Sequence, residues 1–383
     1  MYNILTIDVE DYFQVYAFSD VIKFEDWGNF ECRIERNTDR LLEILDGVTQ
    51  NSKFKTQNSK LDHSLTQRAK ATFFVLGWNA ERYPSLVRRI QKEGHEIACH
   101  GYAHKRIYTQ SKEEFRQDIR RAKAILEDIT GCEVIGYRAP NYSITNKSQW
   151  AFDVLVEEGF KYDSSVFPIR HDVYGMPDAP RFPFVISLNG NNNFEFSVLS
   201  VELGPIQNST LITQNSRFIT QNSNFSPQSS VLTGNSFPHS LIHPIPDHSK
   251  LITQNSKLRP HNSQLNTQTS QFIIEFPVST VRLLGQNFPI SGGGYFRLFP
   301  YSFIRKGLMT INQKERKPFI FYVHPWEFDT DQPRIKGAAS LSKFRHYVNL
   351  HKTEIRFKKL LSDFQFSTIQ QLLIQTSQLK SQS

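Results

Sequence analysis

His100 and His104 stand four residues apart in a His-Gly-Tyr-Ala-His run, and a carboxylate cluster, Asp8, Glu10 and Asp11, lies far upstream near the amino terminus. Two imidazoles at that spacing fall on one face of a helical turn. With one carboxylate they make the two-His, one-acid set that holds a catalytic divalent metal and leaves positions open. The chemistry of such a set is metal-assisted hydrolysis. Other polar residues sit where apolar runs stop: Arg138 after Glu133 to Tyr137, Asp163 after Phe160-Lys161-Tyr162, and His324 after Phe-Ile-Phe-Tyr-Val. Barrels and open α/β sheets build their sites at the carboxyl ends of strands, so these positions form one expected constellation.

The elements that must position these groups alternate. Tyr2 to Val9, Ala71 to Leu76, His95 to His100, Glu133 to Tyr137 and Phe319 to Val323 are short apolar or β-branched runs that predict strands. Between them lie helical patterns: Asn37 to Val48, capped by Asn37 or Thr38; Pro84 to Glu93, ending at Gly94; Lys112 to Thr130, stopped by Gly131; and Lys147 to Glu158, stopped by Gly159. Strand and helix in turn predict an α/β fold, a parallel barrel or open parallel sheet.

Two stretches break the pattern. Residues 205–271 become Thr, Gln, Asn and Ser with spaced aliphatics, repeating Leu-Ile-Thr-Gln-Asn-Ser, and residues 51–67 carry a shorter copy of that bias. Adjacent aliphatics filled out with Asn, Ser and Thr cannot make a coiled-coil seam, and such tracts bury too little apolar area to offset ordering entropy. They read as insertions into surface loops of one domain spanning 1–366, followed by a polar tail, 367–383. The histidines inside these tracts receive no role. The start lacks a basic region and an apolar core, and no stretch approaches a membrane span, so a cytoplasmic chain without an integral membrane segment is expected. The three cysteines, Cys32, Cys99 and Cys132, are odd in number and far apart, which fits a reducing compartment rather than a disulfide framework. A net charge of +8 scattered among acids argues against nucleic acid as a partner.

Taken in order, Thr6-Ile7-Asp8-Val9-Glu10-Asp11, His100-Gly-Tyr-Ala-His104, Arg138-Ala-Pro-Asn141, Asp163-Ser-Ser and Val323-His324-Pro-Trp326-Glu327 resemble the five motifs of the polysaccharide deacetylase family, the NodB homology domain of the family-four carbohydrate esterases. With Asp-Val-Glu-Asp-Tyr-Phe near the start and Gly-Gly-Gly-Tyr-Phe-Arg at 292–297, the chain looks closest to the branch found beside exosortase and exopolysaccharide gene clusters. The resemblance implies a distorted (β/α) barrel and removal of N-acetyl groups from acetylhexosamine units of a polysaccharide or oligosaccharide, at the periphery of an exopolysaccharide assembly system. It implies Asp8 as general base, Arg138 as its partner, His324 as general acid oriented by Asp163, and a backbone N–H near Asn141 for the oxyanion. A divalent metal, zinc before others, would bind His100, His104 and one acid of the first motif. Val9 stands where the family commonly has a second Asp, and on an extended segment i and i+2 face the same way, so Glu10 is the expected carboxylate and Asp11 the alternative. Trp326, beside the acid, would stack on a sugar.

Plainer readings exist for several of these residues. Asp11 can be a helix N-cap, Arg138 a salt bridge, Asp163-Ser164-Ser165 an Asx turn, and Gly292 to Gly294 a backbone turn, since the run lacks the end of a phosphate loop. Trp27 and Trp78 read as core or cleft walls. Two other functions stay open: hydrolysis of small cyclic amides on a related barrel, and carbohydrate binding without turnover.

Overall fold

Strand β1 (Tyr2–Val9) is buried at every residue after Tyr2 because it has parallel neighbours on both sides, so both of its faces are covered. Its side chains alternate: Leu5, Ile7 and Val9 join the main apolar core beneath the helices, whereas Ile4, Thr6 and Asp8 point to the opposite face. That alternation sends Asp8 toward the site. In the computed structural model, residues 1–47, 68–188, 194–198 and 272–380 are described. The two polar insertions expected at 51–67 and 205–271 lie outside them.

Helix α1 (Ile34–Gly47) leads to β2 (Thr72–Val75), then α2 (Gly77–Arg82), α3 (Pro84–Lys92) and β3 (Glu96–Cys99). Next come α4 (Lys112–Thr130), β4 (Gly136–Tyr137), α5 (Ala151–Glu157) and β5 (Tyr162–Asp163). The α4 limits are those its sequence predicts. Ser111 and Glu114 form a reciprocal capping box, Gly131 ends the helix at φ 65°, and Phe115, Ile119, Ala122 and Leu126 put one stripe into the core. Helix α1 begins three residues before the expected cap, and α5 is shorter than the expected 147–158 because Thr145 to Gln149 turn back on themselves through Ser148.

The second half adds β6 (Phe184–Leu188), β7 (Phe194–Val198) and β8 (Phe272–Glu275), then a separate hairpin, β9 (Thr280–Leu283) and β10 (Gln286–Pro289). After them come α6 (Gly293–Leu298), α7 (Tyr301–Met309), β11 (Ile320–Val323), α8 (Ser340–Tyr347), α9 (Leu350–Asp363), β12 (Gln365–Ser367) and α10 (Ile369–Lys380). The main sheet runs β11-β1-β2-β3-β4-β5-β8-β6-β7, with β12 beside β1; it is parallel from β11 to β8 and antiparallel at β6 and β7. This is the expected α/β fold with a parallel sheet. Among the described residues no ladder joins β8 to β11. Instead the chain between them makes single contacts: Ile320 N–H donates to Ser279 Oγ, Tyr322 N–H donates to Ser291 O, and Gly292 bridges Tyr322. Within the stretch expected as a polar tail, Ile369 is fully buried against Ile4 and Phe74, and its N–H donates to Thr72 Oγ1. Among the described residues no helix is long and apolar enough to cross a membrane, and all three cysteines are free.

Gly292 is where β11 meets the irregular segment. It holds φ 135°, and a Cβ there would sit 1.9 Å from the Tyr322 carbonyl oxygen. Gly292→Ala therefore has to lower stability, by at least ~2 kcal/mol from backbone strain before the clash is added. Gly294→Ala, with nothing within 4 Å of the new Cβ, should be neutral or slightly stabilising. Denaturant melts of the two variants check this; equal midpoints would remove Gly292 from the fold's essential contacts.

Candidate active site

The first motif sits where β1 ends. Asp8 is the last inward residue of the strand, Glu10 follows it, and both are buried. Two strands away, past β2, β3 ends at Cys99 and His100 begins a loop, not the helical turn that the four-residue spacing suggested. Gly101 takes φ 74° and His104 φ 52°, and Asp118 of α4 accepts the Tyr102 and Ala103 N–H groups. A Cβ at Gly101 would lie 2.8 Å from that carboxylate, so the loop needs glycine there. Folded this way, the loop returns His104 beside His100, with both Nε2 atoms 3.0 Å from Glu10 Oε1.

The donor set fits a metal ion. His100 Nδ1 lies 2.8 Å from the Arg138 carbonyl oxygen, which can only accept, so Nδ1 carries the proton and Nε2 turns its lone pair toward Glu10. Two imidazole nitrogens and one carboxylate oxygen within 4.8 Å of one another suit zinc or a similar divalent ion. Burial alone would raise Glu10, but the charges of His104 and His324 beside it outweigh that and hold the carboxyl well below its usual range. A second convergent group, Asp8, Glu10 and His324, is a poorer ligand set. Asp8 Oδ1 already takes a hydrogen bond of 2.6 Å from Arg138, and His324 keeps its proton at neutral pH.

Asp11 serves the chain instead. Its carboxylate accepts the N–H groups of Tyr12 (2.8 Å) and Arg33 (2.5 Å), tying the loop after β1 to the start of α1. Burial pushes its carboxyl up to about 6 against those hydrogen bonds. Of the two candidate acids, Glu10 faces the histidines.

Arg138 is wholly buried and donates to Thr6 Oγ1 (2.7 Å), Asp8 Oδ1 (2.6 Å), Ser164 O (3.0 Å) and Ser164 Oγ (2.8 Å). The turn that follows holds Asn141 and Tyr142 at φ 57° and 52°, and its own hydrogen bonds use the N–H groups of Tyr142 and Ser143, not that of Asn141. Asn141 Oδ1 is buried without a partner among the described residues.

His324 opens a short 3-10 turn after β11. Its Nε2 lies 3.9 Å from Asp8 Oδ2, so the expected acid and base face each other. The expected orienting residue is different. Asp163 does not reach His324; it accepts from Ser165 Oγ (2.5 Å) and N (3.2 Å) and faces Glu275 across the β5–β8 pairing. Burial and the Asp163 charge raise Glu275 far above its usual range, so Glu275 holds the proton. Ser165 Oγ in turn accepts from Ala139 N–H, so Asp163 braces the turn carrying Asn141. Glu327 orients His324 instead, with Oε1 2.6 Å from Nδ1, while Arg297 Nε donates to Glu327 Oε2 at 2.7 Å. Burial would lower His324, yet Glu10, Glu327 and Asp8 together push it up to about 9. The sequence contained the signal: His324 and Glu327 are three apart with Pro325 between, and a proline-led turn places i and i+3 together.

Trp326 is only 5% exposed, with its ring stacked on His324 at 5.3 Å and on His346 at 4.1 Å. Stacked in this way beside the acid, it still lines the cavity next to His324. Asp8, Glu10, Asn141, Tyr142, Tyr322 and His324 open into a cavity of about 430 Å³. Trp27 and Trp78 lie in the core, as read from the sequence.

Two family descriptions match this chain: "Polysaccharide deacetylase" over residues 58–156 and "Domain of unknown function (DUF3473)" over residues 240–374. The first contains His100, His104, Arg138 and Asn141; the second contains Arg297, His324 and Glu327; Asp8 and Glu10 precede both. A peptidoglycan-N-acetylglucosamine deacetylase of Bacillus cereus is 38% identical over 92 residues, 24% of this chain and 34% of that protein. One from Listeria monocytogenes is 30% identical over 129 residues, 31% of this chain and 27% of that protein. The chain thus spans about a third or less of the curated relatives it matches. A solved structure from Mycobacterium smegmatis, provisionally named a polysaccharide deacetylase, superposes with TM-score 0.45 at 17% identity, covering 98% of this chain and 90% of that one.

The donor geometry makes a prediction about metal content. His104→Ala and Glu10→Gln should each lower the affinity for zinc by at least ~10-fold, and Asp11→Asn should leave it within about threefold. Metal titration with a competing chelator measures this, and a loss confined to Asp11→Asn would exchange the two acids.

Proposed function

We propose that this chain is a polysaccharide deacetylase that hydrolyses the N-acetyl group of acetylhexosamine units in a glycan, an exopolysaccharide before others; the match of residues 58–156 to the polysaccharide deacetylase description supports the hydrolase class. The observation that carries this reading is the facing pair Asp8 and His324, each backed by its own buried ion pair, beside the Glu10, His100 and His104 donors. Amide hydrolysis needs both partners. Water must lose a proton to attack the carbonyl, and the amine leaves only once its nitrogen has gained one.

Arg138 holds Asp8 through Oδ1, which leaves Oδ2 to take the proton from attacking water. A divalent ion held by Glu10, His100 and His104 would supply Lewis acidity, polarising the acetyl carbonyl and making water easier to deprotonate. The Asn141 N–H is the expected backbone donor to the developing oxyanion, and the unpartnered Asn141 Oδ1 offers an acceptor to a substrate O–H or N–H. His324, cationic below about pH 9, gives its Nε2 proton to the departing amine while Glu327 keeps Nδ1–H and the ring plane fixed. Tyr142, Tyr174, Tyr295 and Tyr322 line the cavity, a wall of rings with hydroxyl tips that suits a sugar's apolar faces and hydroxyls.

Acetate release from N-acetylglucosamine oligomers by zinc-loaded protein tests the reading, with Asp8→Asn expected to lose ~10²–10⁴-fold in kcat. No release from folded, metal-loaded protein, together with turnover of a hydantoin or cyclic imide, would move the reading to small cyclic amides.

The pH profile tests the acid separately. Because Glu10, Glu327 and Asp8 raise the folded-state pKa of His324, activity is present below that pKa and falls as pH rises through it. Glu327→Gln removes one of the charges that raise it, so the alkaline limb should move to lower pH. A limb that stays in place would give the proton donation to another group.

A further inference from the structure

A second cavity, of about 220 Å³, adjoins the first through Val15, Tyr16 and Asn141 and reaches the candidate ligand His104. Its floor is apolar, with Phe13 and Trp27 among the lining residues, but its polar side is cationic: Lys23, Lys105 and Arg106 line it, and among the described residues no carboxylate does. Several surface guanidinium groups elsewhere are paired, Arg40 with Glu354, Arg89 with Asp39, Arg116 with Glu157 and Arg120 with Glu158. Arg106 and Lys105 form no ion pair among the described residues.

Arg106 is nevertheless held in place. Its guanidinium lies 4.2 Å from the Tyr16 ring centroid and 5.2 Å from that of Tyr108, and it donates to Tyr108 Oη at 3.1 Å. Tyr108 is fixed in turn by donating to the Val173 carbonyl at 3.0 Å. A guanidinium clamped by two rings, partly buried and without an anion of its own keeps its remaining N–H donors for a ligand, and its planar fork matches carboxylate and phosphate. Lys23 Nζ, anchored on Ser19 O at 2.7 Å, adds charge at the same cavity.

We propose that this cavity is a subsite for an anionic group, carboxylate or phosphate, carried by whatever is attached next to the acetylated hexosamine ring, whether a neighbouring sugar or a phosphate ester; the substrate is then a charged glycan. The inference rests on the deacetylase reading, since the acetyl group must lie at Glu10, His100 and His104 for its neighbour to fall beside Arg106. The cationic subsite also makes recognition dependent on ionic strength.

The test compares three substrate classes on zinc-loaded protein: neutral N-acetylglucosamine tetramer, hyaluronan oligosaccharides with alternating glucuronate, and N-acetylglucosamine 1-phosphate with its uridine diphosphate ester. Higher kcat/KM in the second arm identifies a sugar carboxylate, and in the third a phosphate. Arg106→Gln should erase that preference by ~10–100-fold while neutral turnover stays within about threefold, and Lys105→Gln should show a smaller loss of the same sign. Equal kcat/KM in all arms, or a preference that survives both variants, would overturn the proposal. Equilibrium binding of the same ligands to zinc-loaded Asp8→Asn separates the two layers. Arg106-dependent binding of an anionic glycan without turnover in the wild type would sink the deacetylase reading and leave the subsite standing. Turnover of the neutral tetramer with no anion preference would do the reverse.

Discussion

The site hangs on one completely buried guanidinium. Arg138 leaves the end of β4 and reaches across the sheet to Thr6 and Asp8 on β1 and to Ser164 just beyond β5, while its own carbonyl oxygen accepts the His100 Nδ1 proton. A charge taken out of water is tolerated only when nearly every donor finds an acceptor, and the penalty for an unpaired one runs to several kcal/mol. The same satisfied network therefore fixes the base, selects the tautomer of one metal-facing histidine, and sets where the Asn141 turn begins. These three features share one anchor and cannot drift apart.

A second buried guanidinium repeats the arrangement on the other side of the reacting groups. Arg297 donates to Glu327, which holds His324 Nδ1, and to the carbonyl oxygens of His346 in α8 and Val348 just after it. The two pairs act in opposite senses. Arg138 places a cation against the proton acceptor Asp8, and Glu327 places an anion against the proton donor His324. With Asp8 Oδ2 and His324 Nε2 only 3.9 Å apart, opposed backing keeps the two from simply exchanging a proton and preserves acid on one side and base on the other.

Much of this was legible in the sequence because its period is short. Inward residues at the ends of β1, β3 and β11 follow from two-residue alternation, and α4 follows from its capping box, apolar stripe and terminal glycine. The choice of Glu10 over Asp11 came from the same alternation. What failed to show was set by contacts between distant segments. The Asp163 assignment missed because β5 is only two residues long and its neighbour β8 begins more than a hundred residues later, so nothing local told that Glu275 would face Asp163 rather than His324 doing so. Arg297 was visible only as the end of a glycine-rich run. Strands β7 and β12 gave weak signals because they lie at an edge or are short, where propensity is easily overridden by context.

The short strands also explain why side chains carry so much of the architecture. Strands β4 and β5 contribute two residues each, too few for a ladder to define the positions of Arg138 and Ser164 beyond them. Side-chain bonds complete the definition: Arg138 to Ser164, Ser164 Oγ to Phe276 O, and Ser165 Oγ between Ala139 N and Asp163. Gly136 permits this close approach, since a Cβ there would fall 2.0 Å from the Tyr162 ring. Where a sheet is thin, the polar network that performs the chemistry is also what holds the strands in register. A substitution in it then costs stability and geometry together, which ties the persistence of the fold to an intact site.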